Sequence, residues 1–261
     1  YNQRVGYDAV TQAESGFMYM NGEPESNPLK MPVALIDILA AHHLKEGLLL
    51  AMINRSRTGA GEFVEVSLIQ AAVSSLANQA TNWLIGRKIP QKQGSAHPNI
   101  SPYGDIFRTT GGQQILLAIG SDKQFRDLCA ILDIPEAANN PDFSTNQHRV
   151  INRDQLCKIL RERFILFQPD SILGRLNDAR IPAGIIKDIK HVFETPQARD
   201  LLLQSGDRLG VRTYVGRPNH VLGSHFLPPP HFGEHTIDIL SNSLKMDELA
   251  IQKLITDGSV R

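Results

Sequence analysis

Neither sign of charge is in excess in this chain: 27 Lys and Arg residues face 27 Asp and Glu residues, for a formal net charge of zero. A nucleic-acid partner calls for a basic excess that displaces counterions from phosphates, and an anionic membrane surface calls for a basic cluster. Neither partner is expected. Cysteine is scarce. Cys129 and Cys157 are the only two, each in a helix-like apolar pattern, and they read as small buried hydrophobes in a reducing compartment, not as a disulfide. No apolar stretch reaches the ~18 residues that span a bilayer. The short catalytic signatures are missing as well: no C-x-x-C, no H-E-x-x-H, no G-x-G-x-x-G, and no G-x-S-x-G nucleophile elbow. RTGAG, residues 57–61, is glycine-rich but lacks the GK[ST] ending of a phosphate loop and follows a helix, not a strand. Internal repeats and low-complexity tracts are absent.

What is present is ordinary for a soluble globular protein. The 261 residues are 41% apolar and 21% charged, enough for one large domain or two modest ones. The chain opens on Tyr1, and YNQRVGYDAV is neither a signal peptide nor a tag. It reads as the middle of a gene, so a fragment lacking its N-terminal part is expected, cytoplasmic unless a targeting segment lies upstream.

The hydrophobic pattern divides the chain. MPVALIDILAAHH, residues 31–43, is an apolar run whose single charge is Asp37; the next charge is Lys45. Leu44, Leu48, Ala51 and Met52 continue at helical spacing. Arg55 and Arg57 suit the negative end of that helix, and the glycines of TGAG stop it. EFVEVSL, residues 62–68, alternates like a strand, with Val64, Val66 and Leu68 on one face. Ser67 and Gln70 form a capping-box pair for a helix with Ile69, Ala72, Val73, Leu76, Ala80, Trp83 and Leu84 on one stripe. Helix, strand, helix over residues 1–86 predicts part of an α/β layer with a parallel sheet. KIPQKQGSAHPNISPYG, residues 88–104, is a long polar loop of the kind that serves as a linker or lid. A hairpin follows (YGDIFRT, TGG, QQILLAIG). A helix opens at Ser121 with Gln124, another at Asn152 with Gln155, and a third covers about 170–179. IPAGII, residues 181–186, predicts a short strand. A stiff PPP segment precedes a last amphipathic helix from Thr236 through Ile237, Ile239, Leu240 and Leu244.

The chemistry centres on Asp37. A buried carboxylate costs several kcal/mol unless it is satisfied. One reading makes Asp37 the N-cap of a helix starting at Ile38, worth about 1 kcal/mol. Capping and reactivity are compatible: a carboxylate with one free oxygen can attack an activated acyl group and form a mixed anhydride. Tyr7 and Asp8 lie about thirty residues upstream, at a strand end or helix start. His42 and His43 are consecutive, so they share no helix face, and neither has a second histidine at i, i+4, the partner that a helical metal site would want. His97, His231 and His235 lie in proline-rich loops, where hydrogen bonding is their expected role. From the residues alone the chain is an α/β enzyme-like fragment with one well-placed acid and a mobile loop, and no reaction is named.

Several stretches together resemble the class III CoA-transferases, the CaiB/BaiF family: GYDAVTQAESGFMYMNGEP, VALIDILA, RSRTGAGEFVEVSL, LANQATNWLIG, GSAHPNISPY and PPPHFGEHT. The most specific is R-x-R-T-G-x-G followed by V-E-V-S-L at a fixed distance after the acid. Order and spacing hold from Gly6 to Thr236. The resemblance implies an α/β fold of interlocked homodimers, with a Rossmann-like large domain binding CoA and a small α+β domain on two linkers. On this chain residues 1–86 would be the C-terminal part of the large domain. Residues 87–102 would be the linker and active-site loop, 103–200 the small domain, and 201–261 the return to the large one.

The resemblance further implies that Asp37 is the nucleophile, that Val5, Gly6, Tyr7 and Asp8 line the CoA site, and that Gly94, Ser95, Ala96 and His97 close over the acyl group. It implies no permanently bound cofactor and no metal; acyl-CoA is a substrate, with a carboxylic acid as acceptor. Racemases of the same fold carry His where this chain has Tyr7, and a phenol is a poorer base near neutral pH than an imidazole; transfer is therefore expected over racemisation. A non-catalytic family remnant is the other alternative. Relatives commonly have small residues four and nine positions past the acid, here Ala41 and Glu46. The stretch NWLIGRKIPQKQGSAHPNISPY looks closest to the branch that moves CoA between dicarboxylates.

Overall fold

The first helix among the described residues is α1 (Asp8–Glu14), whose cap residue Tyr7 offers its carbonyl to the Thr11 N–H. The computed structural model describes residues 5–216 and 227–260, which group into two compact units, Tyr1–Ile186 and Lys187–Arg261. In the first unit α1 is followed by α2 (Phe17–Met20), α3 (Leu35–Thr58), α4 (Leu68–Ser74) and α5 (Ala77–Leu84). The predicted glycine stop is present: Gly59 takes a left-handed conformation and donates its N–H to the Arg55 carbonyl, closing α3 as a C-terminal glycine should.

Three expectations for this stretch are corrected. First, α3 begins at Leu35 with Ala34 at the cap position, so Asp37 lies inside the first turn and is not the N-cap. Second, residues 62–67 belong to neither a helix nor a strand, and the described strands begin at Tyr103. A strand exists only by pairing with a neighbour, and this segment packs on α3 instead. A side chain at Gly47 would come within 2.6 Å of Val64. The parallel sheet predicted for residues 1–86 is accordingly not formed among the described residues. Third, the single helix predicted from Ser67 is broken into α4 and α5, with Ala77 at a φ of 50°. Ser74 and Ser75 both donate their hydroxyls to the Ala71 carbonyl (3.0 and 2.8 Å), a local bond that competes with helix propagation. Ser67 does occupy the cap position, without a capping bond from its side chain.

The core lies further along. β1 (Tyr103–Arg108) and β2 (Gln114–Ala118) form the predicted hairpin, and β3 (Ala183–Ile185) adds antiparallel to β2. α6 (Asp122–Ile131), α7 (Pro135–Asn139), α8 (Asn146–Ile151), α9 (Arg153–Phe164) and α10 (Pro169–Asp178) pack around this sheet. Period-two alternation turns Phe107, Ile115 and Leu117 inward, where they meet Leu128, Leu160, Phe164 and Leu176. The Phe107 and Phe164 rings stack with centroids 4.9 Å apart. α6 opens as predicted: Ser121 Oγ accepts from the Gln124 N–H. Asn152 precedes α9 but caps nothing, because its amide donates to the Asp142 and His148 carbonyls.

Cys129 and Cys157 are buried and unpaired, as expected of small hydrophobes. Burial, the larger cause for each, pushes both thiols up to about 12. Because the thiolate is the nucleophile, iodoacetamide near neutral pH should leave both unlabelled in the native protein and label both after denaturation, read by mass spectrometry.

By contrast, residues 5–86 contribute to the buried apolar set only Ile36, Ala71 and Ala72 among the described residues. α3 is apolar on several sides and exposes Leu48, Leu49, Leu50, Met52 and Ile53. No helix among the described residues is long and apolar enough to cross a membrane.

The second unit contains α11 (Ile189–Phe193), α12 (Pro196–Arg199) and a hairpin of β4 (Leu202–Ser205) with β5 (Arg208–Val211). The helix predicted from Thr236 is shorter than its apolar pattern: α13 (Thr236–Asp238) runs into a π-helical turn, Ile239–Ser243. α14 (Glu248–Thr256) follows, with Asp247 accepting from the Ala250 N–H (2.8 Å). That helix was missed, although Asp247 ahead of an apolar run is a start signal.

Candidate active site

The first turn of a helix leaves N–H groups without partners. In α3 the cap residue Ala34 has no side-chain acceptor to offer, and the gap is filled from α1. Asp8 Oδ1 accepts from the Ile36 N–H at 2.8 Å. Asp8 Oδ2 accepts from Gln12 Nε2 at 2.7 Å, and Gln12 Oε1 accepts from the Met31 N–H at 2.9 Å. Asp8 and Gln12 share a face of α1 at i, i+4 spacing, where such pairs meet. Asp8 is 9% exposed and Gln12 fully buried.

Asp37, one residue past the anchored Ile36, is exposed, and its side chain makes no hydrogen bond or ion pair among the described residues. Neighbouring positions on a helix diverge by about 100°. Ile36 therefore points into the protein, at 0% exposure, while Asp37 and Ile38 face out.

The other residues expected at the CoA site divide. Val5, Gly6 and Tyr7 are exposed; the Tyr7 carbonyl accepts from the Thr11 N–H and hydroxyl, and its ring is free of the core. The Asp8 carboxylate is spent inside the protein on Ile36 and Gln12. Further along α3, the paired histidines have separate partners: His42 contacts Lys45, and His43 lies near Glu46 and Ser74. Glu46 is solvent-exposed, so its charge disturbs no packing within the described residues. No group of three metal-ligating side chains is close enough to hold an ion among the described residues.

The loop expected over the acyl group is held at both ends. On one side the Gly94 N–H donates to the Gly22 carbonyl (2.9 Å), Tyr19 reaches Gln91, and Lys92 reaches the Ser26 carbonyl. On the other, Arg153 donates to the His97 and Ile100 carbonyls (2.6 Å each) while its guanidinium pairs with Asp105 at 2.9 Å. Arg149 donates to the Ser101 carbonyl. His97 packs edge-on against Tyr103 and accepts from the Asn99 N–H. The loop predicted to be mobile is in this sense anchored. Both arginines were missed: nothing in their local pattern says that their guanidinium forks serve carbonyls fifty residues away.

Gly94 and Ala96 line a cavity of about 310 Å³ together with Met20, Gln79, Asn82 and Asn99. Asp37 lines neither this cavity nor the apolar one of about 300 Å³ beside it. The structure thus joins Asp8 to the helix of Asp37 and joins Gly94 to residues 20–23, with no hydrogen bond between Asp37 and the loop among the described residues.

Gly104 makes the loop possible. Its φ is +80°, and a side chain there would collide with the Ser95 carbonyl. Gly104→Ala should cost at least about 1–2 kcal/mol from the left-handed backbone alone and shift residues 94–97. Urea unfolding and hydrogen exchange of that loop would measure the two effects.

The comparisons with known proteins agree among themselves. The model for "CoA-transferase family III" matches residues 1–236. The chain is 34% identical to the human succinyl-CoA:glutarate CoA-transferase over 99% of its own length and 60% of that protein's. It is also 34% identical to the succinate–glutarate CoA-transferase of Agrobacterium fabrum, over 92% of its length and 61% of that protein's. A crystal structure of a CaiB/BaiF family protein from Brucella suis superposes with a TM-score of 0.79 at 35% identity, covering 92% of this chain and 64% of that one. The chain therefore spans about three-fifths of the length of these curated relatives. With a family match over most of its residues, and with relatives and a solved neighbour that agree, the chain belongs to CoA-transferase family III.

Proposed function

We propose that the protein carrying this chain transfers CoA from an acyl-CoA donor to a carboxylic acid, with Asp37 as the nucleophile. The observation that supports this most is that Asp37 is exposed and unengaged while another carboxylate does the capping of its helix. An Asp37 oxygen attacks the donor thioester carbonyl; the C–S bond breaks and CoA leaves as thiolate, forming a mixed anhydride. The thiolate attacks the aspartyl carbonyl, which yields an aspartyl-CoA thioester and releases the donor as a carboxylate. The acceptor carboxylate then attacks that thioester, and the expelled thiolate attacks the acceptor's acyl carbon in the second anhydride. The product is a new acyl-CoA and a regenerated Asp37. A free carboxylate resists attack by a thiol, and anhydride exchange activates it without ATP; covalent catalysis divides one difficult step into easier ones.

For substrates we propose a dicarboxylate pair, with succinyl-CoA as donor and a glutarate-like acid as acceptor, because relatives with these names match nearly the whole chain. Residues 94–97 would close over the acyl group and Val5, Gly6 and Tyr7 would lie along CoA. Residues 1–86 would belong to a Rossmann-like large domain, 87–102 to the linker and active-site loop, 103–200 to a small domain, and 201–261 to the return segment, in an interlocked homodimer. The apolar surface of α3 supports such burial, since exposed apolar patches of this kind mark interfaces.

The test is trapping. The complete protein is incubated with succinyl-CoA and hydroxylamine, and the peptide containing Asp37 is mapped by mass spectrometry. A hydroxamate on Asp37 is expected. An active enzyme whose Asp37 stays unmodified would remove the chemistry.

A further inference from the structure

We propose that Asp8 is the positioning residue for Asp37, holding the first turn of α3 so that both Asp37 oxygens stay available to the acyl carbon. The inference rests on the reading of Asp37 as nucleophile, and it gives Asp8 a role other than lining CoA.

Three features of the turn carry it. The N–H groups of Leu35, Ile36 and Ile38, on either side of Asp37, are satisfied without its carboxylate: Leu35 bonds to the Val33 carbonyl, Ile38 to the Ala34 carbonyl and Ile36 to Asp8. The segment leading into the helix is bracketed by α1, with Met31 held by Gln12 and Ile36 by Asp8. The bracket is buried, and the acid it presents is exposed. Pinning Ile36 inward sets the rotation of α3 and turns Asp37 to the open side. Without Asp8 the Ile36 N–H would lack its acceptor, and Asp37 is the acid of the turn that can take its place, since an acid at the third helical position can reach back toward the amides that open the helix. That would withdraw an oxygen from reaction and shift the carboxylate.

The experiment uses the complete protein with succinyl-CoA, following single-turnover thioester cleavage, steady-state rates and hydrogen exchange of residues 31–43. Asp8→Ala should slow cleavage at saturating donor by about 10²-fold, the loss typical of a 1 Å misplacement. KM should stay within about threefold, and the amides of residues 35–37 should exchange faster. Asp8→Asn should fail as well, because the new amide's NH₂ would face the donor Gln12 Nε2. Adding Gln12→Glu restores complementarity: the amide oxygen takes the Ile36 N–H, its NH₂ donates to the new carboxylate, and that carboxylate's other oxygen takes the Met31 N–H. The pair should recover to within about fivefold of the unmodified rate, a coupling expected of contacting residues. A raised KM with unchanged kcat in Asp8→Ala, unchanged exchange at residues 35–37, or no recovery in the pair overturns the role of Asp8 alone. Absence of any Asp37 adduct in the unmodified protein overturns it together with the nucleophile on which it rests.

Discussion

Asp37→Ala should lower CoA-transfer turnover by at least about 10³-fold, the scale seen when a nucleophile is deleted from a covalent mechanism. The same change should leave stability within about 0.5 kcal/mol, as surface substitutions do, because the side chain is exposed and has no partner among the described residues. That split is the informative part. Had Asp37 been the cap of α3, its removal would have cost about 1 kcal/mol of stability and the loss of activity would be ambiguous. Turnover measured with succinyl-CoA and glutarate, alongside the urea midpoint of the same preparation, separates the two. Normal turnover in a stable variant would leave kinship without the proposed chemistry.

Arg149→Ala should destabilise the first unit by about 3–5 kcal/mol, combining a large-to-small cavity with buried acceptors left unpaired. The guanidinium is 1% exposed and fully engaged. It donates to the Ser101 carbonyl at 2.9 Å and the Phe143 carbonyl at 3.0 Å, pairs with Asp122 at 2.8 Å, and lies over the Phe125 ring at 4.6 Å. Asp122 is about half exposed, so its carboxylate stays hydrated when the arginine is gone; the cost comes from the carbonyls and the void. Arg149→Lys should recover little, because one ammonium cannot reproduce a planar fork serving three acceptors. Urea unfolding of the variants measures both. Activity should fall with Arg149→Ala too, since Arg149 holds the carbonyl of Ser101, which lies in the same loop, residues 87–102, as Gly94.

How much of this was legible beforehand differs by element. The β1–β2 hairpin, α6 with its Ser121 cap, α10, β3 and the glycine stop after α3 all follow from local patterns, and local patterns decide them because each is satisfied within a few residues or by one hairpin. The strand at residues 62–68 was misread for the opposite reason: alternation states a preference, and a strand needs a partner that the described residues do not supply. The break between α4 and α5 arises where serine hydroxyls turn back on the Ala71 carbonyl, beneath an apolar stripe that continues unbroken through it. At the site, Asp37 stood out as the lone acid of an apolar run, yet its placement inside the first turn was not evident, since Asp is equally welcome one step outside a helix.

The amino-acid sequence by itself determined the family, the candidate acid, the loop and the buried unpaired cysteines, because each is written in composition or in short, ordered motifs. Only the tertiary structure decided which carboxylate caps α3 and which is left free. That choice depends on Asp8 and Ile36, twenty-eight positions apart, meeting across two helices. The same holds for Arg149 and Arg153 on the loop: a hydrogen bond between distant residues is specified by the packing that brings them together, and nothing in either residue's own neighbourhood encodes it.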